Sequence, residues 1–204
     1  IDASTAHRTA PGWVYGFPEL RPGQREAIAA AKRVTNPGCH ATGFISVVYP
    51  LVALGLLGRD ATLSCFSLTG YSGGGKKMIA QYESPERAEN LSSPAIYGVT
   101  QNHKHLREMQ AVCGLAKKPV FSPIVDDYYK GMATTVPLHM EQLRGVSTLH
   151  QVWQAYADYY GTYDGHRLVY AAGDPTDPEG GIEADSKFYG NAMAGRNDLA
   201  ILVA

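Results

Sequence analysis

The longest apolar stretch of the chain, from about Phe44 to Leu57, follows directly on Asn36-Pro37-Gly38-Cys39. It is too short and too interrupted to cross a bilayer. Within it Phe44, Ile45, Val48, Leu51 and Val52 recur at helical spacing, which predicts a helix over 38–57. Pro50, inside that span, predicts a kink or a local adjustment. Such a segment needs a core around it. With 45% hydrophobic and 18% charged residues over 204 positions, the composition is that of a globular chain with room for one large domain, or one domain plus part of another.

The remaining elements fall around this helix. PGQREAIAAAK (22–32) reads as a short helix with proline near its start, and RVTN as a short strand. ATLSCFSLT (61–69) is a strand feeding the glycine-rich turn GYSGGGK (70–76), with a short helix over 77–82. NHKHLREMQAVCGL (102–115) places Leu106, Met109, Val112 and Cys113 on one helical face. TLHQVWQAYADYYG (148–161) is a further amphipathic helix closed by Gly161. PVFSPIV, GMATTVPLHM, HRLVYAA, SKFYGNA and LAILVA read as strands. Strands spaced too closely for parallel crossovers, among about three longer helices, predict an α+β fold with a largely antiparallel sheet.

A net charge of −1, with no basic run or acidic block, points away from nucleic acid and from a charged tail. No membrane span and no signal peptide are visible. Three cysteines, Cys39, Cys65 and Cys113, without CxxC spacing, argue for free thiols in a reducing, cytoplasmic compartment. The first residues read as the end of a strand, and LAILVA is an apolar run at the other end. Both ends read as those of an excerpt from a longer chain.

The chemistry concentrates at Cys39. A cysteine in the first turn of a helix sits among unpaired backbone N–H groups and at the positive end of the helix dipole, which favour thiolate over thiol. Asn36 is a candidate N-cap, and Pro37 and Gly38 leave little bulk near the sulfur. The alternative is a buried structural thiol. A nucleophilic thiol needs a proton partner, and His103 and His105 of HKH are the candidates. At i and i+2 of a helix they would face different directions, one serving as acid/base and the other binding substrate. A metal site is not expected, because no further ligand is spaced to join them. GYSGGGK lacks P-loop spacing but offers close backbone approach and N–H donors. In STAHR (4–8), Arg8 is a candidate clamp for a carboxylate or phosphate.

Together these motifs resemble the N-acetyl-γ-glutamyl-phosphate reductase family in its shorter subtype. The matching residues are DASTAHRTAPGWVYGFPEL at the start, NPGCHATG around Cys39, GYSGGGK, and Tyr97, His103-Lys104-His105 and Glu108 downstream. They occur in the family's order and cover the chain to about residue 145. The resemblance implies a glyceraldehyde-3-phosphate-dehydrogenase-like catalytic domain over 36–204, with 1–35 a remnant of an NADP-binding Rossmann domain. It implies Cys39 as nucleophile and His103 as acid/base. Arg8, Tyr97, His105 and Glu108 become candidates for substrate binding, and Ser72, Gly73 and Gly75 for contact with NADP. It also implies an acyl-phosphate substrate and a homo-oligomer, dimer or tetramer, built through the catalytic domain's sheet.

Two features depart from the family's pattern. His40 and Ala41 stand where the family usually has an aromatic residue and a proline, and no glycine-rich dinucleotide fingerprint occurs. Alternatives within reach are a reductase of aminoadipyl or aspartyl phosphate, a Cys/His hydrolase or acyltransferase that uses no nicotinamide, and a non-catalytic module in which Cys39 is structural.

Overall fold

The computed structural model describes residues 1–161, 168–177 and 187–204. In chain order its first elements are β1 (Val14–Tyr15), α1 (Gln24–Ala30), β2 (Val34–Thr35), α2 (Cys39–Ala53), β3 (Ser64–Gly70) and α3 (Gly75–Tyr82). Then come β4 (Ala95–Ile96), α4 (Lys104–Cys113), β5 (Val120–Asp126), β6 (Met132–Thr135), α5 (Leu149–Gly161), β7 (Val169–Ala171) and β8 (Leu199–Ile201). Among these residues no helix is long and apolar enough to cross a membrane.

The apolar helix α2 is the axis of the fold. Ala41, Phe44, Ile45, Val48 and Leu51 on it are wholly buried, and it packs against α4, β6 and α5. Pro50 does not end it. Proline supplies no N–H to the carbonyl four residues back and crowds that turn; α5 compensates from outside. Tyr160 Oη donates to Ser46 O at 2.7 Å and Tyr156 Oη to Val47 O at 2.8 Å. The helix stops at Ala53 rather than at 57, and Gly55 follows with φ 72°.

The main sheet has the order β4-β5-β3-β6. Two of its three pairings, β4 with β5 and β3 with β6, are antiparallel, but the longest, β3 with β5, is parallel from Ser64↔Val120 to Gly70↔Asp126. The sheet is therefore mixed. Close spacing along the chain misleads here, because β5 and β6 are near neighbours in sequence yet β6 pairs with β3. The connection 127–131 crosses the end of β3, where Tyr71 N–H and Ser72 N–H bond Tyr128 O and Tyr129 O. That crossing explains Gly70, since a Cβ there would lie 2.5 Å from Tyr128 O. β6 stops at Thr135, short of the expected 131–140, with Pro137 just beyond it.

One face of this sheet packs on α2; the other carries exposed apolar side chains. On that face Phe66, 47% exposed, stands opposite Ser122 and Thr135, Val120, 53% exposed, opposite Ser64, and Ile96, 62% exposed, opposite Ile124, which in turn pairs with Leu68.

β1 and β2 pair in parallel, with Asp2 bridged to Thr35, and β7 pairs in parallel with β8. Tyr15, Phe17 and Leu20 share one buried cluster with α2 and α5, and Tyr159 Oη donates to Leu20 O at 2.6 Å. The strand expected over SKFYGNA is a correction: residues 187–192 form no strand. A series of turns runs on from there, with Ala192 N–H to Tyr189 O, Ala194 N–H to Asn191 O and Arg196 N–H to Met193 O. Gly190 is pressed against Tyr128 and Leu68, and Gly195 has φ 86°, so this segment follows its small residues rather than an alternating pattern. Of HRLVYAA, 166 and 167 lie outside the described residues and β7 forms 169–171; Ser186 of SKFYGNA lies outside them as well.

Candidate active site

Cys39 is the first residue of α2 and is exposed, whereas Cys65 and Cys113 are buried. Burial pushes the Cys65 thiol up to about 12 and raises that of Cys113 further, so neither is a nucleophile near neutral pH. The first i→i−4 bond of α2 runs from Thr42 N–H to Gly38 O. The N–H groups of Cys39, His40 and Ala41 therefore precede the intrahelical ladder and have no acceptor within it. They are free donors at the helix end that carries the sulfur, of the kind an oxyanion needs.

Asn36 does not cap the helix; the N-cap is Gly38, and no side chain bonds from it. Glu108, arriving from α4, takes over. Its Oε1 accepts Gly38 N–H at 2.8 Å and Tyr15 O–H at 2.7 Å, and its Oε2 accepts from Arg8 Nη1 at 3.1 Å. A carboxylate at this point favours the positive end of the helix. Arg8 spends its Nε on Asn36 O at 3.0 Å. With 2% of its side chain exposed and both oxygens engaged, Glu108 is placed to hold the Cys39 turn. Gly38 is the close-approach glycine of the site, because a Cβ would lie 2.4 Å from both Arg8 Nη1 and His105 Nε2.

The histidines converge. His40 and His105 are buried, with ring centroids 5.5 Å apart, and His103 stands 6.0 Å from His40 and 4.8 Å from His105. The i/i+2 argument for opposed rings fails because His103 is the N-cap of α4, with extended backbone (φ −85°, ψ 139°), and lies outside the helix. Its Nδ1 accepts His105 N–H at 3.3 Å. In the neutral ring that leaves the proton on Nε2. Burial, then the Lys104 charge, lowers His103 from its ordinary value. Burial and the neighbouring cations bring His40 down to about 4 and His105 to about 3. All three rings are neutral near pH 7. Only His103 is partly exposed; His105 Nδ1 is buried without a hydrogen-bond partner among the described residues.

Tyr97 completes the group. Its N–H bonds Pro123 O, its hydroxyl lies 2.7 Å from His40 Nε2, and its ring is 5.9 Å from that of His103. Burial and the adjacent Cys39 charge push its phenol up to about 12. Sequence reasoning passed over His40 as a partner in the site. Its position beside Cys39 was legible, but its contacts at Ser67 and Tyr97 come from 27 and 57 residues away.

Ser72, Gly73 and Gly75 form the turn that begins after Gly70, on the strand whose Ser67 touches His40. Gly73 and Gly75 are exposed, and a Cβ at Gly75 would meet nothing within 4 Å. A flat group can approach this backbone closely. Beside the helix start lies a cavity of about 380 Å³ lined by residues that include Gly16, Phe17, Pro37, Thr42 and Arg196. Among the described residues no group of three or more His, Cys, Asp or Glu is arranged to hold a metal ion.

The fold has counterparts among known proteins. The solved aspartate semialdehyde dehydrogenase of Francisella tularensis superposes with a TM-score of 0.64 at 14% identity, over 98% of this chain and 64% of that one; the likeness is one of fold. The chain belongs to the family described as semialdehyde dehydrogenase, dimerisation domain, which matches residues 39–180. Its relatives include the N-acetyl-γ-glutamyl-phosphate reductase of Trichormus variabilis, 42% identical over 209 residues, which span all of this chain and 63% of that protein. The protein of the same name from Brucella anthropi is 46% identical over 165 residues, 80% of this chain and 53% of that protein. The chain thus spans 53% to 63% of the length of these relatives, and they match the resemblance read from its motifs.

Proposed function

We propose that this chain is the catalytic and dimerisation portion of a cytoplasmic, NADP-dependent reductase of N-acetyl-γ-glutamyl phosphate, with residues 1–35 belonging to the cofactor-binding domain. The observation that carries the reading is Cys39, an exposed thiol at the start of α2 among N–H groups with no intrahelical acceptor. Relatives named as that reductase, 42% to 46% identical, supply the substrate class.

Cys39 Sγ attacks the acyl-phosphate carbonyl. The S–C bond forms, the C–O bond to phosphate breaks, and the proton released by the thiol departs on the phosphate. The N–H groups at the start of α2 and His103 Nε2–H donate to the carbonyl oxygen while it carries negative charge. Ser72, Gly73 and Gly75 of the catalytic domain would lie against NADPH, which would supply the hydride that reduces the thioester. Collapse of the resulting oxyanion reforms the C=O bond, breaks the C–S bond and returns Cys39 as thiolate, releasing the semialdehyde. Tyr97 and Arg8 orient the substrate, and Glu108 and His105 hold the Cys39 turn.

Phosphate-dependent reduction of NADP by the full-length protein tests the reading, with N-acetylglutamate, aminoadipate and aspartate semialdehydes compared. The N-acetylglutamate compound should give the highest kcat/KM; preference for another semialdehyde, or none with any, overturns the substrate assignment. Cys39→Ser should cut turnover by on the order of 10³-fold or more with the fold intact. His103→Ala should lower kcat by roughly 10²–10³-fold, the worth of one oxyanion donor.

A further inference from the structure

His40 makes two short hydrogen bonds, Nδ1 to Ser67 Oγ at 2.6 Å and Nε2 to Tyr97 Oη at 2.7 Å, and Ser67 Oγ lies 2.9 Å from Thr134 Oγ1. The four side chains come from β6, β3, α2 and the segment after β4. We propose that His40 is a positioning residue: wired through Ser67 to Thr134, its imidazole turns the Tyr97 hydroxyl hydrogen toward the ligand at Cys39.

A neutral imidazole has one donor and one acceptor, so the chain of bonds has two self-consistent directions. In the first, Thr134 donates to Ser67, Ser67 to His40 Nδ1, and His40 Nε2–H to Tyr97 Oη. The tyrosine oxygen is then an acceptor from His40, and its own hydrogen is free to point at the site. In the second every bond reverses, Tyr97 spends its hydrogen on His40, and the loose hydrogen is that of Thr134. Thr134 Oγ1 has no other partner among the described residues and packs against α2, where a Cβ at Gly43 would come within 2.4 Å of it. The second direction leaves the free hydrogen on Thr134, half-buried on the edge strand β6, whereas the first leaves it on Tyr97 beside Cys39, where an acceptor of the bound ligand can take it; that extra bond favours the first. A neutral ring is required throughout, and the burial that lowers His40 to about 4 secures it.

An aromatic residue at position 40, usual in the family this chain resembles, would fill the same space; phenylalanine would fill it with no relay at all. That the ligand accepting from Tyr97 is a carbonyl rests on the reductase reading; the direction of the relay does not.

Two measurements on the full-length protein separate the claims. Ring ¹⁵N spectra of labelled histidine should show His40 neutral with hydrogen on Nε2 and none on Nδ1; the opposite tautomer overturns the relay even if the enzyme is active. In reductase assays Ser67→Ala, which releases the tautomer, should lower kcat roughly tenfold with KM nearly unchanged, about the worth of one hydrogen bond. The Ser67→Ala/Tyr97→Phe double variant should be no slower than Tyr97→Phe alone. Additive losses, or a Ser67→Ala variant with undiminished kcat, overturn the relay. If no reductase activity is found while His40 carries its hydrogen on Nε2, the functional reading fails and the relay stands.

Discussion

At the scale of single residues, the buried histidines couple stability to pH. His40 and His105 are 3% exposed and sit at about 4 and about 3, against an ordinary value of 6.5, with burial the main cause. Their folded-state values are depressed, so between those values and 6.5 the unfolded chain binds more protons than the folded one. The stability they allow is complete above pH 6.5 and is lost as pH falls through that window. The melting temperature should therefore drop between pH 6.5 and about 4, and His40→Phe should flatten part of that slope. An unchanged slope in the variant would show that His40 titrates alike in both states. The role of Glu108 belongs to this scale too. The resemblance made Glu108 a candidate for substrate binding, but whether the carboxylate met substrate or scaffold depended on Tyr15, Arg8 and Gly38 arriving from elsewhere.

Among the elements, α2 shows how a local rule yields to a distant partner. Pro50 within an apolar helical pattern predicts a disturbed helix, yet the helix continues because Tyr160 and Tyr156 reach carbonyls in the affected turn. Tyr160→Phe leaves the Ser46 carbonyl buried without a donor and should cost ~1–3 kcal/mol, read as a lower denaturant midpoint. Pro50→Ala restores a backbone N–H for that carbonyl, so Tyr160→Phe should cost less in the Pro50→Ala background. Equal costs in both backgrounds would refute this account. The tyrosines were visible as one face of α5 at residues 148–161; what they bonded was not, with 109 and 114 residues separating each from its acceptor.

For the whole molecule, the sheet face turned away from α2 carries exposed apolar side chains among the described residues. Phe66, Val120 and Ile96 stand about half or more exposed on one face of β3, β5 and β4, in a family described by its dimerisation domain. We propose that a second copy covers this face. Phe66→Asp should convert the assembly to a smaller species in sedimentation, with the melting temperature becoming independent of protein concentration. A wild-type monomer, or a variant of undiminished mass, would rule out this face as the interface.

Periodicity alone placed the long helices, the α+β class and Cys39 at a helix start, because each depends on residues within a few turns of one another. The strand over 61–69 was legible for the same reason. The parallel pairing of β3 with β5 was not, because a crossover of some fifty residues decides it. Tertiary structure alone closed the site. Glu108 became the clamp of the Cys39 turn and His103 a ring beside His105 and His40. Ser67 became the link between an imidazole and a threonine. Hydrogen bonds and burial in that site join side chains 27 to 100 residues apart, and only the packing of α2 against α4 and the sheet brings them within reach.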